Sequence, residues 1–136
     1  MPVPKVAGWR SSYYGSQGNG HGQTDPPYFV CVAQSEAAKY PGSIPGGIYV
    51  LGGIGTSETN MPFSKPPGSA NIANVVYDTS GNWGHDPVPF LNAFDTAGMK
   101  IILQVEPGMA DISQLATMIL NNFKNHPCVV GFGVDV

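Results

Sequence analysis

Charge is scarce in this chain. Lys, Arg, Asp and Glu make up 11% of its 136 residues, less than half the ~25% of an ordinary soluble domain. The six basic residues do not cluster and the net charge is −3. Nucleic-acid binding needs a basic footprint, so its absence weighs against that class of partner. No apolar run nears the ~20 residues of a membrane span. The opening MPVPKVAGWR lacks the apolar stretch of a signal peptide, and Met1 reads as a start codon ahead of a mature segment.

Reactive and ligating residues are equally sparse. The only cysteines, Cys31 and Cys128, have no metal-ligand spacing. Two buried thiols are expected, with a disulfide as the alternative. His21, His85 and His126 share no ligand pattern, so no metal is expected. There is no G-x-S-x-G elbow for a serine triad. GGIGTS, after the second predicted strand, lacks the Walker lysine and the G-x-G-x-x-G spacing. No cofactor is expected.

What is abundant is glycine, at 18 residues, and proline, at 13, with frequent Tyr, Ser and Asn. Such a weakly charged surface is common among secreted proteins that meet neutral polymers. The length fits one domain with a real core. The expected partner is a polysaccharide or oligosaccharide, and the expected location is extracellular.

Along the chain, strands and helices alternate. KVAGWR (5–10) reads as a strand. A Gly/Ser/Asn/Tyr-rich loop precedes DPPYFVCVAQSEAAKYPG, in which Asp25 is an N-cap and Pro26 fits the first helical position. Phe29, Ala33, Ala37 and Tyr40 recur at helical spacing, and Pro41–Gly42 stops the helix. GGIYVLGGIG (46–55) is the second strand. Residues 56–85 form a long Pro/Gly/Ser/Asn-rich stretch, of a length usually kept for function or mobility. Within it, NVVYD reads as a short strand or a turn.

DPVPFLNAFDTAG is the second helix, with Asp86 as N-cap and Gly98 ending it. MKIILQVE is the third strand. DISQLATMILNNFKNH is the third helix, opened by the capping-box-like pair Asp111 and Gln114. Its expected buried face is Ile112, Leu115, Ala116, Ile119 and Phe123. CVVGFGVDV closes the pattern as the fourth strand. The order β-α-β-α-β-α-β implies α/β architecture with parallel strands and right-handed crossovers. Four strands and three helices fit half of a (β/α)8 barrel, or an open doubly wound sheet. The chain reads as a single half-barrel-like domain over 1–136, truncated at its C-terminus. Its open edge invites a homo-oligomer.

Strand alternation separates two faces. In the third strand Ile101, Leu103 and Val105 oppose Ile102, Gln104 and Glu106. In the fourth, Val130, Phe132 and Val134 oppose Gly131, Gly133 and Asp135. One face is apolar; the other turns polar toward the C-terminal end, where barrel enzymes keep their chemistry. Arg10, the only arginine, ends the first strand on the polar side.

Glu106 and Asp135 are expected on neighbouring strands, about 5 Å apart in the pairing direction. Glycoside hydrolysis uses two such carboxylates, one as acid and one as base or nucleophile. Proximity raises the proton affinity of one of them. The plainer alternatives are a helix cap or a pair with a cation. Gly131 and Gly133 either clear space beside Asp135 or pack tightly at a bulge. Trp9, Tyr13, Tyr14 and Trp83 offer rings suited to sugar faces, or simply pack their loops.

GWRSSYYG, PGGIYVLGGIG and NHPCVVGFGVDV resemble the N-terminal half of TIM-barrel, glycoside-hydrolase-like domains of secreted polysaccharide degraders. More distantly, GFGVDV is similar to the fourth strand of chitinase-like barrels, whose acidic motif runs D-x-D-x-E. On that resemblance Asp135 matches the second Asp, Gly133 replaces the first, and the acid Glu would follow Val136. The resemblance implies hydrolysis of glycosidic bonds, with an incomplete catalytic set in these residues. Asp135 and Glu106 would be catalytic, with Arg10, Trp9, Tyr13, Tyr14, Trp83 and Gln104 holding substrate. A non-catalytic carbohydrate-binding or structural protein is the alternative.

Overall fold

A computed structural model of the chain describes residues 5–12, 15–16 and 25–135. Its strands are β1 (Val6–Ser12), β2 (Gly15–Ser16), β3 (Ile44–Val50), β4 (Thr59–Met61), β5 (Val75–Tyr77), β6 (Lys100–Val105) and β7 (Val129–Val134). The helices are α1 (Pro26–Ala37), α2 (Pro87–Thr96) and α3 (Ile112–Asn122). None of them is long and apolar enough to cross a membrane.

Local chemistry starts each helix. The carboxylates of Asp25, Asp86 and Asp111 accept from the backbone N–H groups of Tyr28, Val88 and Gln114 at 2.8, 3.0 and 2.8 Å. Each satisfies a donor that the first turn leaves without a partner. Prolines at the openings of α1 and α2 cost nothing there, because those N–H groups have no helical acceptor.

The main sheet runs β2-β1-β3-β6-β7, with β1, β3, β6 and β7 parallel and β2 antiparallel on β1. The parallel strands lie side by side in chain order. The reversal of strand order that marks a doubly wound sheet does not occur among them. Their close approach depends on glycine. A Cβ on Gly8 would lie 1.6 Å from the Gly46 carbonyl oxygen. Gly47 combines φ 146° with a Cβ position 2.1 Å from the Trp9 carbonyl oxygen.

One face of the sheet is packed. Tyr49, Ile101, Leu103 and Val105 share a buried cluster with Phe29 of α1, Phe90, Leu91 and Phe94 of α2, and Leu115 and Ile119 of α3. Rings meet there at centroid distances of 5.3 Å for Tyr49–Phe90 and 5.7 Å for Phe29–Phe90. The other face is open in part: Val6, Ile44 and Ile102 are 41%, 40% and 39% exposed, while Ser12, Val50 and Gln104, toward the C-terminal strand ends of the same face, are buried. Parallel sheets ordinarily have both faces covered.

Several expectations change. The second strand runs Ile44–Val50 rather than 46–55: the Leu51 N–H still donates to the Gln104 carbonyl at 3.0 Å, but Gly53 leaves the sheet, its carbonyl accepting the Asn60 N–H at 2.9 Å. The 56–85 stretch is not wholly irregular. Thr59–Met61 pairs in parallel with Val75–Tyr77, making NVVYD part of a strand. On α3 the buried residues are Leu115, Met118 and Ile119, followed by Phe123, while Ile112 stays exposed in the first turn. Ile72 buries beside Met118 in the same cluster, which moves the covered stripe toward that side.

The fourth strand carries a register shift. Ile101 pairs Val129, but Ile102 pairs Gly131. Val130 is the extra residue and stays exposed, so it leaves the face expected for it. Beyond the shift, Phe132 joins the helix-side cluster and Gly131 and Gly133 pair with the open-face residues Ile102 and Gln104.

Candidate functional site

At the C-terminal ends of the strands, the open face turns polar. Arg10 reaches from β1 over β3 to two partners. Its Nε donates to Oε1 of Gln104 at 3.2 Å, and its Nη2 donates to Oδ2 of Asp135 at 2.7 Å. Parity accounts for the shared face, since Arg10 pairs with Ile48, Ile48 with Ile102, and Gln104 with Gly133. Three strand spacings along a flat sheet come to about 14 Å. A contact across that span requires the sheet to curve toward this face.

The glycines of β7 keep the space clear. Cβ atoms on Gly131 and Gly133 would meet Ile102 side-chain carbons at 3.6 and 3.4 Å, ordinary contacts. Packing therefore does not demand glycine at either position. What glycine provides is a strand face without side chains next to Ile102 and Gln104. Asp135 is held from behind, where its N–H donates to the Val105 carbonyl at 2.9 Å. The pair is half-open to solvent. Arg10 keeps three further N–H donors, and Gln104 keeps its amide NH2.

Glu106 sits one residue past β6 and leaves the strand ladder. Its Oε2 accepts the Ile54 N–H at 3.1 Å. Glu106 and Asp135 nevertheless line one shallow cleft of about 430 Å³, with Ile54, Pro107 and Gly108. Of the plainer roles open to strand-end carboxylates, Asp135 takes the pair with a cation. Asp111, not Glu106, caps α3.

Loop contacts fix that cleft. Gly108, at φ 55°, lies against the Ser57 carbonyl, and Met109 N–H donates to the same oxygen at 2.9 Å. Asn74 Nδ2 donates to the Met109 carbonyl at 3.4 Å. Ile54, which lines the cleft, and Met109, next to Gly108, both stand exposed. Sequence reasoning missed both; the Pro107–Gly108 turn signal after the third strand was the cue available.

The aromatics divide. Trp9 pairs with Gly47 on the face opposite Arg10, because neighbouring residues of a strand point to opposite sides. It therefore stands apart from the Arg10 network. Trp83, half-buried in the loop before α2, is not among the described residues lining the Glu106–Asp135 cleft. Tyr13 and Tyr14 lie outside the described residues, as does His21.

The cysteines are both free, Cys128 buried and Cys31 exposed on α1. The expectation of two buried thiols thus holds for one of them. On the helix side, Asp95 Oδ1 accepts the Cys128 N–H at 2.9 Å and Oδ2 meets His126 Nδ1 at 2.6 Å. Burial pushes the Asp95 carboxyl up, but these bonds outweigh it and hold the group below its ordinary 3.8. Burial, aided by the Asp95 carboxylate, pushes the Cys128 thiol well up, which makes it a poor nucleophile. The cluster ties α2 to the start of β7. Among the described residues, no three His, Cys, Asp or Glu side chains form a metal-ligand group.

Family models, curated proteins and solved structures were all compared with the chain, and none matches it.

Proposed function

We propose that this chain is a glycoside-hydrolase-like domain of a secreted polysaccharide degrader, built as half of a (β/α)8 barrel. The observation that carries the reading is the Arg10–Gln104–Asp135 network on the open face, at the C-terminal ends of parallel strands. Barrel enzymes keep their chemistry at that end. Planar groups with paired donors and acceptors suit the vicinal hydroxyls of a sugar.

In this reading Arg10, Gln104 and Asp135 position a sugar ring, and Asp135 accepts hydrogen bonds from its hydroxyls. Glu106 and Asp135, in the same cleft, are the two carboxylates of the step: Glu106 would protonate the glycosidic oxygen while Asp135 would take the proton of the attacking water. Further parallel strands would cover Val6, Ile44 and Ile102 and pair with the edge of β7. A second copy of the chain would supply four, the number that completes eight.

The test is hydrolysis of a panel of plant and microbial polysaccharides, with Glu106→Gln and Asp135→Asn alongside. Turnover that falls at least a hundredfold in Glu106→Gln supports the reading. Full rates in both variants sink the assignment.

A second reading, a non-catalytic carbohydrate-binding protein, is favoured by the engagement of Asp135 with Arg10, which commits that carboxylate to a hydrogen-bonding role. Retention on insoluble glycans without turnover selects it.

A further inference from the structure

A second cleft, of about 590 Å³, lies away from the strand ends, between α3 and the 66–72 loop. Along α3, Ser113, Thr117 and Asn121 form one stripe at four-residue spacing, and Gln114, Met118 and Asn122 form the next. Eight residues of helix are about 12 Å long, so the polar wall is a strip rather than a point. The side-chain amides of Gln114, Asn121 and Asn122 make no hydrogen bond to the described residues. Between the walls, Ile72 and Met118 contribute apolar surface.

The opposite wall is pre-shaped. Ser69 donates to the Pro66 carbonyl through its backbone N–H at 3.1 Å and through its Oγ at 2.7 Å. Gly68 at φ 76° follows Pro67, the pattern of a type II turn. Lys65 Nζ donates to the Asn71 side-chain oxygen and closes the base of the loop. A wall that does not have to be ordered on binding lowers the cost of binding.

The chemistry of the lining selects among ligands. No carboxylate lines the cleft, so it lacks the negative charge that holds a metal ion or an ammonium group. Lys124 is its only charged residue, too little for a phosphorylated ligand. A helix wall has its backbone groups already paired, which leaves an extended peptide without the main-chain bonds it uses. What remains are the neutral amides of Gln114, Asn121 and Asn122, which donate and accept, and the hydroxyls of Ser69 and Thr117, which donate to the Pro66 and Ser113 carbonyls and keep lone pairs to accept, beside proline rings and an apolar floor. Sugars match that combination, with hydroxyls at their edges and C–H groups on their faces.

We infer that this cleft is a second saccharide-binding site, which holds a segment of a neutral polysaccharide chain outside the strand-end site. The inference shares its ligand class with the proposed function but none of its residues.

The experiment is NMR of the 15N-labelled chain, following side-chain NH2 signals. Cellotetraose, xylotetraose, mannotetraose and chitotetraose are added in turn at millimolar concentration. At least one should shift the Gln114, Asn121 and Asn122 signals. Replacing Gln114 and Asn121 together by alanine should weaken that binding about tenfold, the loss expected for two hydrogen-bonding groups. Arg10→Ala should leave it unchanged while lowering any turnover at the strand ends at least tenfold, so the two sites fail separately. The inference is overturned if none of the four sugars moves these signals, or if shifts are confined to Gln104. It is equally overturned if the double variant binds as tightly as the parent, or if a proline-rich peptide shifts the signals and the sugars do not.

Discussion

Arg10 stands on β1 and Asp135 one residue past β7, the two outer members of a four-strand parallel array, yet their side chains meet at 2.7 Å. Two intervening strands pass beneath that contact. A contact over both strands requires the sheet to curve toward this face.

That pair should matter more for ligand than for stability. A half-exposed ion pair contributes on the order of 0–1 kcal/mol. Arg10→Ala is expected to shift the urea-unfolding free energy by no more than this, while glycan binding or turnover at the proposed strand-end site falls at least tenfold. Arg10→Lys should recover little of it, because an ammonium group cannot reach Gln104 and Asp135 as a fork. Unfolding curves and glycan assays on the two variants, side by side, decide it.

The glycines should separate into two kinds. Gly131→Ala places a methyl in ordinary contact with Ile102 and stiffens the unfolded chain, so stability should stay level or rise by up to about 1 kcal/mol. Gly8→Ala drives a Cβ into the Gly46 carbonyl and should cost about 2 kcal/mol or more. Denaturation midpoints of the two variants supply the comparison.

Asp95 predicts an acid-dependent loss of stability. Its folded carboxyl sits below 3.8, so the unfolded chain binds that proton more readily than the folded one. The stabilisation is fully present above the unfolded value and disappears as pH falls through the lower folded value. Unfolding free energies measured from neutral pH down to strong acid should show a shallower decline in Asp95→Asn than in the parent. An unchanged slope would remove Asp95 from the acid response.

Thiol labelling should be two-phase. Exposed Cys31 should react with a thiol reagent in the folded chain, while buried Cys128 should react only on unfolding. Two fast thiols in the native protein would contradict the packing around Leu91 and Asp95.

Much of the fold was legible because its signals are local. Asp25, Asp86 and Asp111 cap helices through bonds to N–H groups two or three residues away. The alternation of Ile101, Leu103 and Val105 against Ile102 and Gln104 sorted two faces of β6 within six residues. Other features depend on partners far away in the chain and left little local trace. The β4–β5 pair joins Thr59 to Val75, and the extra residue Val130 is defined only by its partner strand. The exposure of Cys31 follows from which side of α1 faces α2 and the sheet. Ile112 is apolar and correctly spaced for the buried stripe, yet the chain beside Met118 determined which side is covered.

The sequence alone determined the order of the four parallel strands and three helices, the helix caps, and the side of each strand on which Arg10, Gln104 and Asp135 stand. These follow from hydrogen bonds and steric alternation within a few residues. Only the tertiary structure decided that Arg10 bridges to Asp135, that Glu106 turns to the Ile54 N–H, and that Trp9 faces away. Those outcomes depend on sheet curvature and loop return, set by packing between segments up to 125 positions apart.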